Sequence, residues 1–504
     1  MKRKTIQRIL ALATASSIAI SLSACKSTQK TDSTTSEAQT QSTELSTTSN
    51  NDSSASTISK DDITISEEIS NNNDSEHAIE VSGGTAEYAN IKVSKTGDSD
   101  SGDEADFYGD NAAIFATDGA TLTLNNIVVD TDGKHANAVF SYGEGTTVNI
   151  SDSVITTSGN CSGGLMTTGG GTMNATNLSI HTTGNSSAAI RSDRGGGTVN
   201  VTGGTYVTDG KGSPAIYSTA DITVSDATLE STSSQGIVVE GKNSVTLNNV
   251  TLIADSNSKN SDKSEWYQAV MIYQSMSGDA AEGLATYTMS GGSLTNKNGD
   301  VFFVNNTVTT ITLTDVEIVN QDENGVFLRA AAAGWGSEGS NGGKVNLYLN
   351  NQALNGDIIV DSVSALNMYL ASSTTYEGAI NSANEGEVYV EIESGSKWVL
   401  TGDSYISGLT CDADAIDLNG HTLYINGVAY TAGTASTGTA IEMKTEASSN
   451  GKPDGKPGDS SSGNHGDGKP GDPPSGKRPE GEPPQGGPGG DGKEPPSKPE
   501  ESDN

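Results

Sequence analysis

From residue 114 to residue 326 an aliphatic side chain returns about every 25 residues, at Ile114, Val139, Leu165, Ile190, Ile216, Ile237, Val270, Val301 and Val326. Ala or Gly precedes it every time except before Val301, where Asp300 stands. A second motif follows the first eight of these positions, with apolar or small residues at offsets 0, 2, 5 and 7. Leu122, Leu124, Ile127 and Val129 form one copy; Met173, Ala175, Leu178 and Ile180 another; Ile311, Leu313, Val316 and Ile318 a third. Alternation by two puts the apolar residues of a strand on one face. A fixed period of about 25 residues predicts a solenoid, in which each rung buries its apolar face only by stacking on the next. Short polar side chains recur after the second apolar position, as in Asn125-Asn126, Ser151-Asp152 and Asn248-Asn249. Asn and Asp tolerate left-handed backbone and so suit a repeated turn. Past Gly343 the pattern becomes plain alternation, in Val345, Leu347 and Leu349, then Val388, Val390 and Ile392, then Leu423 and Ile425. These strands are expected to close the open end, because an unpaired solenoid edge invites further strand pairing.

Rungs of this length, with three short strands and Asn/Ser/Gly turns, resemble the right-handed parallel β-helix of pectate-lyase-like and adhesin-like proteins. The resemblance implies an all-β, single-stranded parallel β-helix of roughly 12–14 rungs. The strands past Gly343 are similar to the closing rungs of secreted β-helix passengers. On this reading residues 76–344 are the repeats and 345–432 the closing rungs and cap.

Composition agrees with a thin core. The 504 residues are only 32% hydrophobic and 5% aromatic, with 60 Gly, fewer large apolar residues than a compact globule of this size carries. A formal net charge of -36 argues against nucleic acid as a partner, since a polyanion would be repelled. Cys161 and Cys411 could pair or remain buried thiols.

The termini have other tasks. Lys2, Arg3, Lys4 and Arg8 precede an apolar run from Ile9 to Leu22, which has the form of an export signal. Leu22-Ser23-Ala24-Cys25 resembles the lipobox of bacterial lipoproteins. That resemblance implies cleavage of residues 1–24, acylation of Cys25, and a protein held by lipid alone on the outer face of the cell membrane. Residues 25–75, rich in Ser and Thr, read as a disordered tether. Residues 446–504 hold twelve of the thirteen Pro and read as an extended, disordered tail. Their Gly-Lys-Pro and Gly-Glu-Pro-Pro runs resemble wall-threading segments of Gram-positive surface proteins.

The fold does not settle a chemistry. No Gly-x-Ser-x-Gly elbow occurs, and the five His show no metal-ligand spacing. Asp98, Asp100, Asp103 and Asp106, with Glu104 and Asp110, form an acidic cluster whose oxygens could hold calcium; a solvated acidic loop is the alternative. The residues after the aliphatic anchors are Phe115, Phe140, Met166, Arg191, Tyr217, Val238, Met271, Phe302 and Phe327. They must face away from the anchors. If the anchors point inward, this column is a ladder of rings along the outside on which sugar rings could stack; if not, it is the core. Trp266 and Tyr267, in the lengthened rung before Val270, and Trp335, in the insertion from Ala330 to Gly343, are further candidates, because insertions on a rigid solenoid commonly carry binding. Three functions follow: a glycan- or polysaccharide-binding, adhesin-like surface protein; a polysaccharide lyase or hydrolase on the same fold; or a structural wall spacer. An enzymatic role is the weaker expectation, since no column of stacked Asp accompanies the first strand.

Overall fold

The computed structural model describes residues 57–444, apart from Asn260 and Met276. The signal segment, Cys25 and the Pro-rich tail lie outside the described residues. The described chain is a parallel β-helix. Eleven short strands, from Ile79–Ser82 to Ile358–Val360, stack in parallel as one sheet, and eighteen strands form a second. The second sheet bends part-way along each rung. Thr147–Thr157 runs through the bend as one strand, whereas Asp221–Ser225 and Thr228–Ser231 are separate. Sheets of four and three strands carry the closing rungs, and Leu423–Ile425 pairs antiparallel with Val428–Ala429 at the end.

The repeat sets this register. Ile114, Val139, Leu165, Ile190, Ile216, Ile237 and Val270 pair successively across the short-strand sheet, and all are buried in the main core. The offset-7 residues run likewise from Val129 through Ile155, Ile180, Tyr206, Leu229, Leu252 and Leu294 to Ile318. A lengthwise column therefore replaces the single central core of a globule, and each rung depends on its neighbours.

Two kinds of turn hold the rungs in step. In the bend of the long-strand sheet, Asn126, Asp152, Asn177, Asp226, Asn249 and Asp315 all take left-handed backbone, with φ between 47° and 55°. Their side chains form ladder bonds: Asn177 donates to Asp152 at 2.6 Å and Asn249 to Asp226 at 2.8 Å. At another corner the turns touch through glycine. A Cβ on Gly184 would fall 1.8 Å from the Gly159 carbonyl oxygen, so no larger residue fits there without moving a rung.

Two expectations need correction. Residues 57–75 are not all tether: Glu67–Asn71 pairs with Ile91–Lys95, and Ile63 is buried with Val128 and Val154. Ile58, Ile63, Ile65 and Ile69 supply the apolar face that the surrounding polar residues obscured. The anchor column also changes register late in the repeats. Val270 pairs with Phe302 and Phe302 with Leu328, so Val301 and Val326 are displaced from it. Asp300, which broke the Ala/Gly rule, stands at the shift, opposite Gln268. It is buried, accepts a hydrogen bond from the Val326 backbone, and pairs with Arg329 Nε at 2.5 Å. Cys161 and Cys411 are both free thiols.

Candidate functional site

Because the anchors face inward, the next residue of each short strand faces outward. The structure nevertheless covers most of that column. The segment between Ile91–Lys95 and Ile114–Thr117 makes an excursion containing the helix Asp103–Tyr108. Phe115, Phe140 and Met166 are buried in a separate cluster, with Ala112 within it and Tyr142 packed against it. His77 stacks on Phe115 with ring centroids 4.6 Å apart. Phe115 and Phe140 are therefore closed to a ligand. Phe302 and Phe327, moved by the register shift, belong to the main core. Four of the candidate rings are thereby excluded as contacts, and Tyr217 remains half-buried.

Further along the same face, two insertions converge over the column. Val238, Met271, Tyr273 and Phe303 form a second cluster, against which Tyr217, Trp266 and Trp335 pack. These elements enclose a cleft of about 810 Å³ whose lining includes Arg191, Asp193, Tyr217, Gln268 and the two tryptophans. Trp335 meets Tyr273 edge-on at 5.0 Å, and Trp266 tilts against Phe303 at 5.6 Å. The Arg329 guanidinium lies 4.5 Å over the Trp266 ring, within cation–π range. Thus Tyr217, Trp266 and Trp335, widely spaced in sequence, meet in one cleft. Tyr267 is outside the lining and instead stacks beneath Lys259 Nζ at 4.7 Å.

The floor is polar and closely organised. Arg191 Nη2 sits 3.1 Å from Asp106 Oδ2 and 2.7 Å from Asp193 Oδ2. His135 Nδ1 and Asn137 Nδ2 donate to Asp106 Oδ1 at 3.1 and 3.2 Å. Burial raises the Asp106 pKa, but Arg191 and these hydrogen bonds outweigh it and hold the carboxyl below its ordinary range. Asp193 responds oppositely. Burial pushes it up to about 7, and the nearby charges of Asp106, Glu240 and Asp279 add to the rise against the pull of Arg191. One guanidinium charge serves two carboxylates, and Asp106 has the additional donors. Asp193 Oδ2, although close to Arg191, has no directed hydrogen bond. Deeper in, the Tyr217 and Tyr273 hydroxyls both donate to Glu240 Oε2. Burial first keeps both phenols far above their ordinary pKa; the neighbouring Tyr273 and then Glu240 add to the rise at Tyr217, and Glu240 adds to it at Tyr273, so both persist as donors.

The acidic cluster does not gather into a cation site. Asp98 accepts from the Lys134 backbone at 2.7 Å, Asp100 and Asp103 are exposed, and Asp106 turns inward to Arg191. Among the described residues, the cluster whose ligand atoms lie within 4.8 Å of one another is Asp106, His135 and Cys161. Both Asp106 oxygens are already engaged there, and burial raises the Cys161 thiol above its ordinary pKa, which disfavours the thiolate a metal would need. Sequence reasoning also passed over an outward ring pair in the closing rungs. Tyr348 and Tyr369 stack face to face at 4.6 Å, and the polar-side Tyr in each alternating strand was the available signal. The chain matches no family model, no curated protein and no solved structure.

Proposed function

We propose that the protein binds polysaccharide in the cleft beneath Trp266 and Trp335. The observation that supports this most is the convergence of Tyr217, Trp266, Tyr273 and Trp335 around one opening, beside fixed polar groups. Flat rings offer the C–H faces of a sugar a stacking surface, while a few placed polar groups select orientation. Gln268 suits the second task. Its Oε1 is buried without a hydrogen-bond partner, leaving an acceptor for a sugar hydroxyl. A surface-held protein with such a cleft would act as an adhesin-like glycan binder, with Cys25 as its lipid anchor.

The chemistry of the floor favours binding over hydrolysis. Glycoside hydrolysis commonly needs two carboxyl groups flanking one bond. Here Asp106 is committed to Arg191, His135 and Asn137, and Glu240 Oε2 to two tyrosines, leaving Asp193 as the carboxyl lining the cleft. Asp193 also sustains a second reading, because a raised pKa beside an arginine in a cleft is characteristic of catalytic groups. On that reading the protein is a lyase or hydrolase, and soluble oligosaccharide products would accumulate from an incubated polymer.

Affinity electrophoresis through gels containing a glycan panel tests the binding reading. Retardation by at least one polymer is expected, and Trp335→Ala should lose about 1–2 kcal/mol, roughly a five- to thirty-fold weaker affinity. Unretarded migration in every gel would favour a structural spacer.

A further inference from the structure

We infer that the cleft selects an anionic polysaccharide, one bearing carboxylate or sulfate-type groups along its chain. The inference rests on the glycan-binding reading and adds the charge of the ligand. It starts from a local reversal of sign. The chain carries 64 acidic and 28 basic residues, yet Lys211, Lys259, Lys263 and Arg191 line the cleft against Asp193 alone among carboxylates. Arg191 is compensated by Asp106 and Asp193, so the three lysines are the surplus.

The lysines come from separate places. Lys211 lies in the turn before the rung strand Ile216–Ser218, and Lys259 and Lys263 belong to the insertion that precedes Gln268–Tyr273. Their ammonium groups have no acidic partner among the described residues. Lys259 Nζ donates to the backbone carbonyls of Ser264 and Glu265 at 3.0 and 2.5 Å, and Lys263 Nζ lies 6.0 Å from the Trp335 ring centre. A lysine on a cleft wall next to a stacking ring can meet a charged substituent while the ring meets the sugar. The surrounding negative surface repels polyanions in general, so binding should be confined to this opening and should weaken steeply as salt screens it.

The test compares charged and uncharged forms of one backbone, using the full chain in affinity gels. The pairs are carboxymethyl cellulose against hydroxyethyl cellulose, and dextran sulfate against dextran. The expected result is retention by one or both charged polymers and at least tenfold weaker retention by their neutral partners. Retention by carboxymethyl cellulose alone assigns carboxylate, and retention by dextran sulfate alone assigns sulfate. Lys211→Gln with Lys263→Gln should weaken retention roughly tenfold and flatten its salt dependence, while the two Lys→Arg changes restore both. Lys259 is left in place because its ammonium also ties the loop. Lys397→Gln, an exposed lysine on a different sheet, should change nothing. Equal retention by charged and neutral partners would overturn the inference while leaving glycan binding intact. Failure of every polymer to retard the protein would remove both.

Discussion

At the scale of single residues, Asp193 is the group whose behaviour follows most directly from its surroundings. Arg191 faces it from its own rung, Asp106 from the inserted helix, Glu240 from a neighbouring strand, and Asp279 from a loop. Its pKa rises from 3.8 in an ordinary setting to about 7 in the fold. Between those values the folded protein keeps a proton that the unfolded chain has released. Asp193 therefore costs stability progressively as pH rises through that window, and the cost is complete above about 7. Asp193→Asn should gain stability relative to the parent as pH is raised, seen in denaturant midpoints; a gap that stays constant with pH would contradict this. Below about pH 7 the parent cleft also loses a negative charge, so affinity for an anionic glycan should strengthen there and Asp193→Asn should lose that dependence. None of this was legible in the sequence. Arg191 was visible only as one member of the column after the anchors, Asp193 did not stand out, and their partner Asp106 sits 85 residues before Arg191, inside an acidic cluster that read as a calcium candidate or a solvated loop.

At the scale of elements, the turns and strands carry the information that the sequence displayed best. The anchors up to Val270 and the offset-7 positions stack as their spacing implied, because a period-two strand has only two faces and one must be buried. The same rule explains the error after Val270, where a one-residue shift exchanges the faces and sends Phe302 inward. Insertions were harder to interpret. Nothing in the sequence of the excursion showed that Gly109 and Ala112, just past the helix, press against Phe115 and Phe140, since such coverage is a tertiary contact with no local period. Phe140→Ala is expected to cost about 3–5 kcal/mol, as for any fully buried ring, and a loss below about 1 kcal/mol in thermal or chemical unfolding would mean that the ring is exposed. Gly184→Ala should cost several kcal/mol as well, because its Cβ would meet a neighbouring turn's carbonyl at 1.8 Å. An unchanged unfolding midpoint would show that successive turns do not touch.

At the scale of the whole molecule, a polar, acidic solenoid presents one face where rings and lysines gather. The sequence named Tyr217, Trp266 and Trp335 separately, but only the coiling of the chain brings them to one opening. Of the three tryptophans, Trp398 is fully buried and donates to the Gly378 carbonyl at 2.9 Å, so Trp266 and Trp335 alone border the cleft. A titration of tryptophan emission with a charged oligosaccharide therefore examines the account at its centre. The account predicts a saturable change in emission that persists in Trp398→Phe and disappears when Trp266 and Trp335 are both replaced by Phe. Emission that stays flat up to concentrations at which the polymer retards the protein in gels would contradict it, because binding would then lie elsewhere on the molecule.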